Sequence, residues 1–256
     1  MGALATLLPA DLSPWAAIIV IATSFFASAV TAAFSIGGGL TLIAVMSALF
    51  PPAAVVPVHG VAQLSSNLSR ASLQYKKIIW PIVGWFCVGA GVGVAVGGQL
   101  AVSLPAFVLR FGVAGFILFS VWGPKLKGFA PGNKTTMATG AVSTFLTMFF
   151  GATGPIVATM LSAFHLDRLS RVATHGAMMV VQHGLKIAVF GILGFAYREW
   201  IFVILLIIGS GILGTLLGTR LLHKMSEEIF AAGFKWLLSL IAVYLIIAGF
   251  IELRTN

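Results

Sequence analysis

The chain has 256 residues, of which 59% are hydrophobic and 8% are charged, and its mean hydropathy is +1.08. A soluble globular domain carries roughly 25% charged residues, so this composition excludes that class. The formal net charge of +9 does not indicate nucleic-acid binding, because most basic residues lie in short segments between apolar runs, where they set membrane topology.

Residues 1–12 form an N-terminal segment that lacks a basic stretch ahead of an apolar core. We interpret it as part of the mature chain rather than as a cleaved signal. The only cysteine, Cys87, excludes an internal disulfide and a thiolate metal cage within one chain. We therefore predict neither a metal site nor a cofactor.

Apolar segments follow in two sets of five. Residues 13–122 hold segments at about 14–35, 38–50, 53–76, 79–101 and 106–122. Residues 135–253 hold segments at about 135–150, 153–166, 169–196, 200–221 and 229–251. A spanning helix needs about 20 mostly apolar residues, and uninterrupted apolar runs differ from the alternating pattern of barrel strands. The sequence therefore predicts an all-α integral membrane protein.

The two sets resemble each other at a fixed offset. HGVAQLSSNLSR (59–70) aligns with HGAMMVVQHGLK (175–186), and SIGGGL (35–40) aligns with GATGPI (151–156). The alignment pairs His59 with His175, Gly60 with Gly176, Ser66 with Gln182, Asn67 with His183, Arg70 with Lys186, and Gly38 with Gly154. Such self-similarity predicts two tandem transmembrane repeats, 13–122 and 135–253, joined by a linker at 123–134.

Five crossings per repeat is an odd number, so the second repeat is expected to be inverted. With the 123–134 linker in the cytoplasm, the positive-inside rule collects these basic residues on that side: Lys76, Lys77, Lys125, Lys127, Lys134, Arg168, Arg171, Arg220 and Lys224. Four crossings per repeat would split this group, so we favour the inverted topology. The second segment of each repeat is short, ~20 Å at 1.5 Å per residue, and either spans the membrane or re-enters it.

A polar stripe runs along the third segment of each repeat. Helical spacing places on one face His59, Gln63, Ser66, Asn67 and Arg70 in the first repeat, and His175, Gln182, His183 and Lys186 in the second. Both stripes should face away from lipid, because an exposed polar group there costs several kcal/mol. Hydrogen bonding between helices explains the serines equally well, and snorkelling towards the lysines that follow is the alternative for Arg70.

The six carboxylates all fall at the ends of predicted segments: Asp11, Asp167, Glu199, Glu227, Glu228 and Glu252. None is placed to neutralise Arg70 or Lys186 in mid-membrane. A buried cation without a partner is costly, so we expect the substrate to supply the negative charge. The lack of an intramembrane Asp or Glu argues against transport of Na⁺, Ca²⁺ or another metal cation.

A glycine cluster precedes the short segment of each repeat, with Gly38 and Gly39 in the first and Gly154 after Thr153 in the second. A helix that starts after such a break presents backbone N–H groups and the positive end of its dipole, which suits an oxyanion. Broken segments at corresponding positions of two repeats also indicate a transporter site.

Two long stretches share one order of glycine cluster, short helix, polar helix and basic end: FSIGGGLTLIAVMSALFPPAAVVPVHGVAQLSSNLSRASLQYKKIIW (34–80) and FFGATGPIVATMLSAFHLDRLSRVATHGAMMVVQHGLKIAVFGILGF (149–195). In this order the chain resembles the TauE/SafE family over nearly its whole length. The resemblance implies a multi-pass protein of a bacterial inner membrane that exports sulfur oxyanions or organosulfonates, such as sulfite or sulfoacetate, with coupling to the proton gradient.

The leading hypothesis is a secondary transporter that holds a small anion between the repeats, near the membrane midplane, and moves it by alternating access. Arg70 and Lys186 would supply positive charge. Further contacts are expected from His59, His175, His183, Gln63, Asn67, Gln182 and Ser66, and at the glycine clusters from Gly38, Gly39, Thr153 and Gly154. One histidine would carry a coupling proton. Small-residue patterns such as Gly89 and Gly93 leave a homodimer open.

Other classes of protein stay open at this point. An anion channel or a structural membrane subunit is the first alternative, although long uncharged segments do not favour the continuous polar lining of a channel. An intramembrane serine hydrolase is disfavoured, because His59 and Ser65 lie on different helix faces and no G-x-S-x-G motif occurs. A metal site at His175 and His183 is disfavoured by their spacing of eight residues. We expect no enzymatic activity.

The inverted topology predicts that single cysteines introduced by Arg198→Cys and Lys224→Cys, in a Cys87→Ser background, lie on opposite sides of the membrane. Residue 198 should react with an impermeant maleimide in intact cells, and residue 224 only after permeabilisation, because basic clusters stay cytoplasmic. Labelling of both residues from the same side would contradict the inverted arrangement.

Overall fold

The computed structural model describes residues 7–34, 37–101, 105–124, 130–221 and 227–255. Over those ranges the chain forms ten α-helices and no strand: α1 Pro14–Phe34, α2 Gly38–Leu49, α3 Pro52–Leu73, α4 Trp80–Ala101, α5 Ala106–Trp122, α6 Asn133–Phe150, α7 Gly154–Ser162, α8 Arg168–Ile192, α9 Ile201–Leu221 and α10 Glu227–Thr255. Each of the ten apolar segments contains one of these helices. The prediction of an all-α fold is confirmed.

Within the described ranges, four stretches of helix are long and apolar enough to cross a membrane: Pro14–Thr31, Trp80–Leu100, Tyr197–Leu217 and Lys235–Arg254. Together with the overall hydropathy they identify a transmembrane protein. The two helices that carry the polar stripes, α3 and α8, are less apolar because of those stripes. The two helices pack against each other in the interior, which keeps their polar stripes away from the surface.

The second segment of each half is too short to cross a membrane by itself. Helix α2 has 12 residues and α7 has 9, which correspond to about 18 Å and 14 Å at 1.5 Å per residue, against a hydrocarbon core of about 30 Å. The number of crossings and the inverted topology stay predictions. Several basic residues that carry the topology prediction lie outside the described residues, at 125, 127 and 224, as does the side chain of Arg220.

Glycines bring α4 and α6 into backbone contact. A Cβ atom at Gly89 would collide with the carbonyl of Met137, and one at Gly93 would collide with the carbonyl of Ala141, one turn further along both helices. The two contacts advance together, so α4 and α6 run parallel. Lipid gives no hydrophobic drive between helices, and close approach of small residues is a main source of their association.

Helices α1 and α9 form a second parallel pair. Gly214 lies against the backbone of Phe25. The Ser24 hydroxyl donates to the Ile207 carbonyl at 2.8 Å, and the Ser210 hydroxyl donates to the Ile21 carbonyl at 2.7 Å. These hydrogen bonds join residues more than 180 positions apart in sequence, so the first described helix is held by one of the last.

Two antiparallel pairs complete the arrangement. In the central pair, Gly60 near the middle of α3 lies against Lys186, towards the end of α8, and Ala71 at the end of α3 lies against Gly176, towards the start of α8. At the periphery, α5 and α10 meet through aromatic pairs at both ends. The ring centroids of Phe111 and Phe250 lie 5.0 Å apart, and those of Trp122 and Trp236 lie 5.6 Å apart.

The start of α8 is fixed by a cap. The Asp167 carboxylate accepts hydrogen bonds from the backbone N–H groups of Leu169 and Ser170 at 3.0 and 3.1 Å. Bonds from the side chain and backbone of Ser170 lower the pKa of this exposed carboxyl. A depressed pKa means that the cap contributes to stability at neutral pH and loses that contribution as the pH falls through the folded-state value in acid.

The α4–α6 contact predicts that Gly89→Ala destabilises the protein, by about 1–3 kcal/mol, because the new methyl group meets a rigid backbone carbonyl. The matched control is Gly91→Ala on the same helix, where a Cβ atom meets nothing within 4 Å. Thermal unfolding in detergent measures both. Equal midpoints for the two variants would contradict the close backbone contact.

Candidate functional site

The polar residues of α3 line two adjoining cavities, one on each of two neighbouring faces of the helix. The small cavity, of about 60 Å³, is lined on this helix by Gln63, Asn67 and Arg70. The large cavity, of about 470 Å³, is lined on the adjacent face by Ser65, Ser66, Ser69 and Ser72. Thr31 and Gln63 line both cavities, so the two cavities are neighbours at these side chains.

The small cavity gathers the starts of both short helices and both polar helices. Its other walls come from Gly39 of α2, from Gly154 and Pro155 of α7, and from His175 and His183 of α8. The short and polar helices that the sequence alignment pairs between the two halves thus meet at the small cavity. A cavity needs about 10–15 Å³ to hold one water molecule, so this cavity has room for about four to six water-sized groups.

Arg70 turns towards the small cavity rather than along the helix towards its end. Its Nη2 donates to Oδ1 of Asn67 at 2.6 Å, and Nδ2 of Asn67 donates to the carbonyl of Gln63 at 2.7 Å. Among the described residues its Nε atom is buried without a hydrogen-bond partner. The guanidinium therefore retains donors for a guest. This geometry does not match snorkelling.

Two histidines tie the polar helices to the short ones. Nε2 of His59 lies 3.0 Å from the carbonyl of Gly39, and Nε2 of His175 lies 3.2 Å from the carbonyl of Gly154. A carbonyl oxygen only accepts, so Nε2 carries the proton in both bonds. The same contact thus occurs in each half, at the first turn of α2 and of α7. His175 lines the small cavity, whereas His59 is fully buried beside it.

Lys186 is fully buried and does not line either cavity. Its Nζ donates to the carbonyl of Gly151 at 3.2 Å. Gly151 has a φ of 75°, a conformation that glycine adopts at little cost. A Cβ atom at Gly60 would lie 2.8 Å from Cε of Lys186, so the missing side chain makes room for the lysine. His183, one turn away on α8, lines the small cavity.

A hydrogen-bond network stabilises the break before α7. Nε2 of Gln182 donates to Oγ1 of Thr153 at 2.7 Å, and the Thr153 hydroxyl donates to the carbonyl of Ser143 at 3.0 Å. The Ser143 hydroxyl closes the ring by donating to Oε1 of Gln182 at 3.3 Å. All three residues are buried, and the network joins α6, the break before α7, and α8.

The charges around the cavities are one-sided. No carboxylate of the described part of the chain lines either cavity. Asp11, Asp167 and Glu199 are exposed, and Glu252 forms an ion pair with Arg110 at 3.2 Å. The side chains of Glu227 and Glu228 lie outside the described residues. The small cavity therefore presents the cation of Arg70 without an acidic partner from the described chain.

The structure sorts the predicted site residues into four places. Seven line the small cavity: Gln63, Asn67, Arg70, His175, His183, Gly39 and Gly154. Ser66 and Gly38 line the large cavity. Gln182 and Thr153 belong to the buried network. His59 and Lys186 are buried at the α3–α8 contact. That these residues bind a substrate stays a prediction.

Three residues at the site were not among the predicted ones. Thr31 lines both cavities, Ser143 closes the hydrogen-bond ring, and Gly151 supplies the carbonyl that accepts from Lys186. Gly151 carried a signal, since it opens the second glycine cluster. Thr31 and Ser143 are each one of several hydroxyl residues in their helices, and such residues usually bond within their own helix, so no signal in the sequence singled them out.

Comparison with protein families identifies one match for most of the chain. The family model described as "Sulfite exporter TauE/SafE" matches residues 20–245. This range includes α2 to α9 entirely and the greater part of α1 and α10. Comparisons with curated proteins and with solved structures give no match.

The buried network predicts that Gln182→Leu destabilises the protein by about 1–3 kcal/mol, because the Ser143 and Thr153 hydroxyls lose a partner in a buried setting. Gln99→Leu is the matched control, since Gln99 is exposed on α4. The measurement is the thermal unfolding midpoint of both purified variants. A Gln182 variant as stable as the control would show that the network contributes nothing.

Proposed function

Because the chain belongs to the TauE/SafE family of sulfite exporters, we propose that it is a secondary transporter that exports a small anion. The substrate class is a sulfur oxyanion or an organosulfonate, such as sulfite or sulfoacetate. Its membrane is the inner membrane of a bacterial cell. The family consists of transporters rather than enzymes, which favours a carrier over an intramembrane hydrolase.

The observation that carries this proposal is the small cavity. It combines the Arg70 guanidinium, which suits a tetrahedral oxyanion through several N–H donors, with His175 and His183 and with the starts of α2 and α7. Helix starts add N–H groups and a positive dipole end. The described residues place no acidic side chain at this cavity, so an anion is the natural counterion.

Arg70 and Lys186 have different parts in this proposal. Arg70 lines the cavity and contacts the anion directly. Lys186 acts from the layer behind, where it holds the carbonyl of Gly151 and adds positive charge one turn from His183. The histidines are also the groups to which we assign a coupling proton, because the unperturbed imidazole titrates near neutral pH.

The helix pairs support an inverted repeat and alternating access. If the two halves are equivalent, α4 with α6 and α9 with α1 are the same contact seen from each half, and both pairs are parallel. The equivalent helices α3 and α8 are antiparallel, as inverted repeats require. We propose that the halves exchange roles during transport around the small cavity, without assigning a rocking or an elevator movement.

An anion channel is the remaining candidate of a different class. It would conduct without saturation and would need a polar path through the whole membrane. The polar groups of His59 and Lys186 are instead fully buried and line neither cavity. A saturable, gradient-coupled flux separates a carrier from a channel.

The experiment measures sulfite efflux from proteoliposomes that contain the purified protein. Arg70→Ala and Lys186→Ala should each reduce the flux by at least about tenfold, because each removes positive charge from the site, while the protein stays folded in detergent. The matched controls are Arg198→Ala and Lys134→Ala, at exposed positions, and they should retain flux. Unchanged flux in both site variants would contradict the assignment of the site.

A further inference from the structure

The large cavity has the size of a ligand site and adjoins the small one. Its volume of about 470 Å³ falls within the range of about 300–1,000 Å³ typical of small-molecule pockets. Helices α1, α2, α3 and α9 line it. Thr31 and Gln63 form part of both linings, so the two cavities are neighbours at these side chains.

The lining of the large cavity is uncharged in the described part of the chain, and apolar side chains provide most of its surface. Hydroxyl groups come from Ser24, Ser28, Thr31, Ser65, Ser66, Ser69, Ser72 and Thr215. The rest of the lining consists of glycine, alanine, leucine and isoleucine, with the amide of Gln63. Such a wall accepts hydrogen bonds from, and donates them to, a neutral polar group. It offers no countercharge to an ion.

Several of these hydroxyls already donate to backbone carbonyls. Ser24 donates to Ile207 at 2.8 Å, Thr31 to Ala27 at 2.9 Å, and Ser69 to Ser65 at 3.0 Å. The oxygen lone pairs of these groups remain as acceptors. The cavity therefore suits a ligand that carries a hydroxyl donor. The apolar side chains of the same lining suit the methylene groups of such a ligand.

We propose that the large cavity is a second subsite that holds the uncharged tail of an organic anion, whose charged head lies in the small cavity. The ligand class is a sulfonate with a short hydroxylated tail, such as 2-hydroxyethanesulfonate. This inference rests on the proposed function and narrows its substrate class. A second anionic group, such as the carboxylate of sulfoacetate, or an ammonium, as in taurine, would enter the subsite without a countercharge and bind more weakly.

Isothermal titration of the purified full-length protein in detergent tests this inference. The probes are sulfite, methanesulfonate, 2-hydroxyethanesulfonate, sulfoacetate and taurine. We expect 2-hydroxyethanesulfonate to bind about tenfold more tightly than methanesulfonate, because it adds one methylene and one hydrogen-bonded hydroxyl. Sulfoacetate and taurine should bind at least about tenfold more weakly than 2-hydroxyethanesulfonate, because one buried charge is uncompensated.

Substitutions of Ser66 test whether the tail of the organic anion lies in the large cavity. Ser66→Leu fills part of the large cavity and should weaken 2-hydroxyethanesulfonate by about tenfold while sulfite changes by less than about twofold. Ser66→Ala keeps the volume and should produce a smaller loss for the same ligand. Ser120→Leu is the control, since Ser120 on α5 lines neither cavity, and it should leave all affinities unchanged.

The outcomes separate this inference from the proposed function. If sulfite binds but the three tailed anions bind equally, or if Ser66→Leu weakens sulfite and 2-hydroxyethanesulfonate alike, the tail subsite is wrong and the anion site stands. If a phospholipid copurifies and is lost in Ser66→Leu, with no preference for the hydroxylated tail, the cavity holds an acyl chain. If no anion binds, sulfite included, the proposed function fails as well.

Discussion

The contact between α3 and α8 is the constraint on which the rest of the structure depends, because it buries basic and polar side chains at the depth of lipid. A charged side chain exposed to hydrocarbon costs several kcal/mol or more. The two helices turn these groups towards each other. Gly60 has no side chain, which leaves room for Lys186, and the carbonyl of Gly151 accepts a hydrogen bond from the Lys186 amine. The remaining helices shield this pair from the membrane.

The shielding is unequal on the two flanks of the central pair. On one flank α4 and α6 meet through glycines and leave little space between their backbones. On the other flank α1 and α9 hold hydroxyl bridges and leave the large cavity beside α3. Under the proposed function the open flank is the route by which a substrate reaches Arg70. In alternating access, the α1–α9 flank would close while the α4–α6 flank loosens.

The sequence was a good guide to the helices. Apolar runs broken by glycine and proline give strong boundaries, and the observed helices start and end close to the predicted segments. The structure gives His59 and His175, which the sequence alignment pairs, similar contacts, since each ring reaches the first turn of a short helix. The family followed from the same motifs.

Helix rotation limited the prediction of the site. Adjacent residues of a helix differ by about 100°, and the predicted stripe was wide enough to include Ser66 together with Asn67. The structure places these two residues in different cavities. Lys186 was expected to supply charge to the substrate together with Arg70; the structure places it outside both cavities, in a space that depends on Gly60 of another helix. Distances between helices are not encoded in a single stretch of sequence.

The pairing of α1 with α9 has a consequence for the biosynthesis of the protein. The hydroxyl of Ser24 finds its acceptor 183 residues later, and a ribosome that adds about 5–20 residues per second needs roughly 10–40 s to make that stretch. During this interval α1 lies in the bilayer, and α9, the partner of its serine face, has not yet been made. The insertion machinery or a neighbouring nascent helix must shelter that face until the partner emerges.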